Sequence, residues 1–130
     1  MDDATLARLF EAGSTWLAGG PEAVADKAWQ AHPTCPGVSL KHLAEAKDCE
    51  GLLSAHLVRL EPDARIAEHV HAGKPELHVV LAGEGSCRFA GRDAAYAPGV
   101  CALIPADEPH VVQAGAAGLR LLAVFAPALR

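Results

Sequence analysis

The hydrophobic pattern changes character at Gly37. Before it, Leu6, Leu9 and Phe10 recur at helical spacing and define one side of a short helix, which Asp2 or Asp3 can cap. Gly19–Gly20 interrupt that pattern. Pro21 and Glu22 then suit the first turn of a second helical segment, running through Val24 to about Trp29. His32–Pro33 and Cys35–Pro36–Gly37 close the region as a loop. Beyond Gly37 the apolar runs are of strand length: VSLKHL, GLLSAHLVRL, RIAEHVH, ELHVVLAG, SCRFAG, DAAYAP, VCALIPA, HVVQAG and LRLLAVFAP. Turns are expected at Glu61–Pro62–Asp63, Gly83–Glu84–Gly85, Gly91–Arg92–Asp93 and Pro98–Gly99. Many short strands with turn signals every ~8–12 residues indicate an antiparallel sandwich or a closed barrel. The expected core is Leu53, Leu57, Val80, Leu103, Ile104, Leu122 and Val124. Residues 1–36 therefore read as a helical extension that packs on the barrel or at a dimer interface, and residues 37–130 as the barrel.

Composition narrows the setting. A chain of 130 residues suits one domain with a sizeable core. Its net charge of −5 and scattered lysines and arginines, with no DNA-binding helix pair, weigh against a nucleic-acid partner. No apolar stretch reaches the ~18 residues needed to span a membrane. The start, MDDATLARLFEAG, lacks the basic region and long apolar core of a signal peptide, so a cytoplasmic protein is expected. Cys35, Cys49, Cys87 and Cys101 show no CxxC spacing and read as free thiols. Trp16, Leu17 and Trp29 are more apolar bulk than a small barrel can bury. An open sheet also leaves edges to cover, so a homodimer is expected through the N-terminal segment or an early strand.

The candidate chemistry is concentrated in EHVHAGKPELHVVLAGEG and, downstream, IPADEPH. On a strand, side chains alternate with period two. His69 and His71 then share a face, Glu68 and Val70 the other. Gly73–Lys74–Pro75 let the chain fold back to a strand on which Glu76, His78 and Val80 share a face. His110 opens another strand. If these faces converge, three imidazoles and one carboxylate surround one point. That donor set suits a divalent transition metal such as iron, zinc, nickel or manganese.

The spacing His69-x-His71-(x)4-Glu76-(x)6-Gly83 resembles the first cupin motif. The stretch Gly91…Pro98-Gly99…Ile104-Pro105…His110 resembles the second. The resemblance implies a jelly-roll β-barrel with a metal at one end, held by His69, His71, Glu76 and His110. The chain departs from the family pattern at Val100, where Asp often follows the Pro–Gly turn, and at Ala114, where Asn is common. Neither position is a usual ligand.

Two further residues draw attention. His78 faces the interior at a position where the family commonly has an aromatic or aliphatic side chain, and Tyr96 is the only tyrosine. Both are candidates for proton transfer. For His78 the alternatives are a further ligand or a buried neutral histidine, and for Tyr96 a packed aromatic. His42 and His56 also lie on expected strands, with their facing left open. The family hosts many activities, so the fold does not choose among them. The expected function is a metalloenzyme acting on a small organic molecule bearing an oxo, hydroxy or carboxyl group, by Lewis-acid or oxygen-activating chemistry. The alternative is a non-catalytic module that binds or senses a metabolite or metal.

Overall fold

Strands dominate the computed structural model, which describes residues 5–130. The expected capping by Asp2 or Asp3 lies outside the described residues. Helix α1 spans Thr5–Ala12 and is followed by a hairpin of β1 (Ser14–Leu17) and β2 (Gly20–Ala23). The remaining strands are β3 (Gln30–Ala31), β4 (Val38–Ala44), β5 (Ser54–Leu60), β6 (Arg65–His69), β7 (Glu76–Phe89), β8 (Arg92–Tyr96), β9 (Cys101–Ile104) and β10 (His110–Phe125). The second expected helix, Pro21 to Trp29, is therefore not formed as such. Its first half pairs with β1, Trp16 opposite Pro21 and Leu17 opposite Gly20, and only Val24–Asp26 makes a 3-10 turn. Gly20 takes a φ of 120° at the hairpin, a conformation glycine permits without steric cost, so the Gly–Gly pair turns the chain back before a helix can begin.

Strands β3 to β10 form one antiparallel system in the order β3-β4-β5-β10-β7-β8, with β6 also pairing β10 and β9 also pairing β7. The two long strands make the barrel. The first half of β7 pairs with the second half of β10, and its second half with the first half of β10, with a register shift between Ala114 and Leu119. The expected turn at Gly83–Glu84–Gly85 is instead the bend inside the continuous strand β7. A Cβ on Gly83 would lie 2.1 Å from Gly118 O, and one on Gly85 2.1 Å from Gln113 O. These glycines let two backbones cross closely rather than reverse the chain.

The core has two layers. Inside the barrel, Val58, Leu60, Val80, Ile104, Val112, Leu119, Leu121, Ala123 and Phe125 pack together with Tyr96 and Cys87. On the outer face, Leu43, Leu57, Leu81 and Ala82 pack under α1 and the 3-10 turn, against Ala7, Val24, Phe10 and Trp29. Each fully buried aliphatic side chain contributes about 1.5–3 kcal/mol, so the barrel has its own source of stability apart from any ion. Two expected core residues are corrected. Leu103 is 65% exposed because Ala102 and Ile104 take the inward positions of β9, and Leu53 is 42% exposed in the turn before β5 begins. Leu122 and Val124 are half-buried on the outer side of β10. All four cysteines are free thiols, with Cys35 and Cys87 buried. Among the described residues no helix is long and apolar enough to cross a membrane.

Candidate metal centre

The site forms where the two halves of the barrel meet. His69 ends β6 and lies opposite His110, the first residue of β10. Glu76 opens β7, opposite Ile104 on one side and Phe125 on the other. His71 is not on a strand as the period-two reading expected, because β6 stops at His69. It is held instead by loop bonds. Asp107 N–H donates to His71 O (3.2 Å), and Gly73 N–H donates to Asp107 Oδ1 (3.0 Å). Asp107 thus stitches the loop carrying His71 to the loop that leads into His110. It is a positioning residue that the sequence pattern did not single out, since an Asp beside Glu and Pro reads simply as a turn.

One donor atom from each of His69, His71, Glu76 and His110 lies within 4.8 Å of every other, so this group can hold a metal ion. His110 Nε2 is 3.2 Å from Glu76 Oε1, and His71 Nε2 is 3.7 Å from the same oxygen. The backbone fixes which nitrogen is offered. His69 Nδ1–H donates to Ala67 O (2.7 Å) and His110 Nδ1–H to Glu108 O (3.0 Å). Each imidazole then presents the lone pair of Nε2, as a metal ligand requires. Among the described residues, three buried side-chain polar atoms have no hydrogen-bond partner, and two of them are Glu76 Oε1 and His110 Nε2. Buried polar atoms are nearly always paired, so two orphans facing each other fit a cation between them.

The electrostatics agree. Burial brings His71 down to about 4 despite the Glu76 carboxylate, and burial also lowers His69, so both rings are neutral near pH 7 and free to bind metal. Burial alone would raise Glu76, but His110 and His78 reverse this and hold it well below the usual carboxylate range. Burial lowers His110 too, yet Glu76 and the Glu108 carbonyl outweigh it and leave the ring raised.

His78 and Tyr96 stand behind this group. His78 Nε2 is 2.8 Å from Glu76 Oε2, and its Nδ1 is 2.7 Å from the Tyr96 hydroxyl. Both residues are 2% exposed. Arg65, Arg88 and Arg92 are exposed, and Arg88 pairs with Asp93. His42 and His56, whose facing the sequence left open, form a second histidine system. They face each other across β4 and β5 with their Nδ1 atoms 2.7 Å apart, and His56 Nε2 lies 2.8 Å from Ser54 Oγ.

This geometry carries the comparison with known proteins. The cupin domain family matches residues 56–125, more than half of the chain. The chain belongs to the cupin family. Its structural relatives include a predicted oxalate decarboxylase from Thermotoga maritima, with 22% identity, a TM-score of 0.73, and coverage of 79% of this chain and 95% of that one. The protein TT1209 from Thermus thermophilus is 27% identical, with a TM-score of 0.67 and coverage of 82% and 96%. The polyketide cyclase RemF from Streptomyces resistomycificus is 21% identical, with a TM-score of 0.67 and coverage of 79% and 75%. No curated protein sequence matches the chain. These likenesses establish a cupin barrel and leave its chemistry to the site.

Proposed function

We propose that this cupin is a metal-dependent enzyme acting on a small organic molecule with an oxo, hydroxy or carboxyl oxygen. The observation that carries the reading is the pair of buried, unpartnered atoms, Glu76 Oε1 and His110 Nε2, 3.2 Å apart. Leaving a buried polar group unpaired costs about 1–3 kcal/mol, a penalty that a bound cation removes. His69, His71, Glu76 and His110 are the proposed ligands. A bound divalent transition metal (iron, zinc, nickel or manganese) supplies Lewis-acid polarisation of a substrate oxygen, or oxygen activation where the metal is iron. His78, hydrogen-bonded to Glu76 and backed by Tyr96, is the proposed proton carrier, because it is the titratable side chain that joins the ligand set to the barrel interior. Two structural relatives bear enzyme names, a predicted decarboxylase and a cyclase, which is compatible with this reading.

Elemental analysis of the purified protein, followed by titration of the chelated protein with each metal, tests this. Stoichiometric uptake of a divalent transition metal is expected, and its loss in Glu76→Ala. A protein that takes up none at neutral pH removes the proposal. Metal uptake with no turnover of any oxygen-bearing substrate leaves a metal- or metabolite-binding module in its place.

We also propose a cytoplasmic homodimer joined through the N-terminal segment or an early strand. Helix α1 covers its own sheet, yet Trp16 remains 74% exposed on the hairpin beside an exposed Leu9. Interfaces are enriched in such tryptophans. Light scattering should give about twice the chain mass of 13.5 kDa, and a mass near 13.5 kDa sinks the dimer.

A further inference from the structure

His78 does more than occupy the space behind Glu76. It is hydrogen-bonded to one carboxylate oxygen only. Oε2 lies 2.8 Å from His78 Nε2, whereas Oε1, turned toward the histidines, has no hydrogen-bond partner. The other face of the imidazole is occupied too, with Nδ1 2.7 Å from the Tyr96 hydroxyl. A neutral imidazole donates from one nitrogen and accepts at the other. The carboxylate can only accept, so the hydrogen sits on Nε2. Nδ1 then needs a donor, and the Tyr96 O–H supplies it. Burial, followed by Cys87 and Glu76, keeps that hydroxyl protonated. His78 and Tyr96 are both almost fully buried, so no solvent can substitute for either bond. The line also spans the barrel. Glu76 and His78 share the inner face of β7, while Tyr96 ends β8, which pairs with the far half of β7.

We propose that Tyr96 and His78, besides the proton transfer assigned to His78 above, act as positioning residues that make Glu76 a one-oxygen ligand. Tyr96 sets the tautomer of His78, His78 holds Oε2, and Oε1 alone is left to the metal. This rests on the metal-centre reading above and adds to it how the carboxylate is presented. The protein would then offer a bound metal four donor atoms, three nitrogens and one oxygen. Without the His78 donor, Oε2 is free to turn and grip the ion beside Oε1.

Cobalt(II) titration of the chelated protein tests this, with the visible absorption of the bound ion reporting its coordination. His78→Leu removes the donor. It should weaken cobalt binding by about 10–100-fold, the usual effect of losing a partner that orients a ligand, and change the spectrum as the second oxygen coordinates. His78→Gln keeps an N–H donor and should restore the wild-type spectrum and most of the affinity. Tyr96→Phe should shift both readouts in the direction of His78→Leu. Wild-type affinity and spectrum in both His78→Leu and Tyr96→Phe overturn the proposal while leaving the metal centre intact. Failure of His78→Gln to rescue a folded His78→Leu also overturns it. If the wild-type protein itself binds no cobalt, it is the metal-centre reading that fails. If His78→Leu does not unfold cooperatively, the Tyr96→Phe and His78→Gln spectra decide alone.

Discussion

Two groups of histidines sit close together in this barrel and are built on opposite rules. His42 and His56 close on each other. Their Nδ1 atoms are 2.7 Å apart, His56 Nε2 meets Ser54 Oγ, and Ser54 Oγ accepts the Leu129 N–H at 2.8 Å, so both nitrogens of the fully buried His56 are paired. His69, His71 and His110 turn their donor atoms toward one carboxylate oxygen, and two of the atoms there are buried without a partner. Phe125 stands between the groups, its ring 4.8 Å from His71 and 5.8 Å from His56. A count of imidazoles therefore does not make a metal site. What distinguishes the second group is unfinished hydrogen bonding at a shared point.

The largest test of that contrast is removal of a ligand. Glu76→Ala and His71→Ala should each lower metal affinity by more than the ~10–100-fold expected for losing an outer partner. Both proteins should still unfold cooperatively, since the interior packing of Leu60, Val80, Leu121 and Phe125 does not involve the ion. Metal at ~100 times its dissociation constant should add about 2.7 kcal/mol to wild-type stability and nothing in Glu76→Ala. A chelated wild-type protein that loses cooperative unfolding contradicts the separation of core and site.

The legibility of the two groups in the sequence follows the same line. His69, His71, Glu76 and His110 stood out because local spacing and two motifs placed them, and even the ending of β6 before His71 did not move the ring away. The His42–His56 pair depends on the register between β4 and β5, which shifts between His42 and Ala44, and no local pattern encodes that. Glycine was ambiguous for a physical reason. Gly83 and Gly85 permit a close backbone crossing and Gly20 a hairpin, and in sequence each looks like a turn. The strand-rich class and the barrel were legible from the alternation. The joining of four short runs into the long strands β7 and β10 was not.

Acid provides the next test. Burial, then His42 and Arg130, bring His56 down to about 4 from 6.5, and burial with Arg130 also lowers His42. A histidine whose folded value is depressed stabilises the fold fully above its unfolded value, and that contribution is lost as pH falls through the folded value. The loss therefore runs from about pH 6.5 down to about pH 4. For His56 it is on the order of 3 kcal/mol, at about 1.4 kcal/mol per pH unit. His71 adds to the same slope, while His110, raised in the fold, has the opposite sign and loses its contribution as pH rises above 6.5. Thermal unfolding of the chelated protein between pH 7 and 4 should show a steep fall. His56→Gln should flatten it by the His56 share. An unchanged slope in that variant refutes the closed pairing of the first group.

Ser54 Oγ is buried and serves two partners, His56 Nε2 and the Leu129 N–H near the C-terminal end. Ser54→Ala leaves both without it and should cost about 1–2 kcal/mol of stability. The same variant removes nothing from the ligand set, and Phe125, packed in the barrel interior, keeps its place between the groups. Metal affinity measured by titration should then equal that of wild type. A matched loss of stability and affinity would mean instead that the two groups are coupled through Phe125, whose ring touches a histidine of each. Combining Ser54→Ala with Phe125→Leu separates these outcomes. Independent groups give additive stability changes, whereas a shared contact through the ring gives a coupling term.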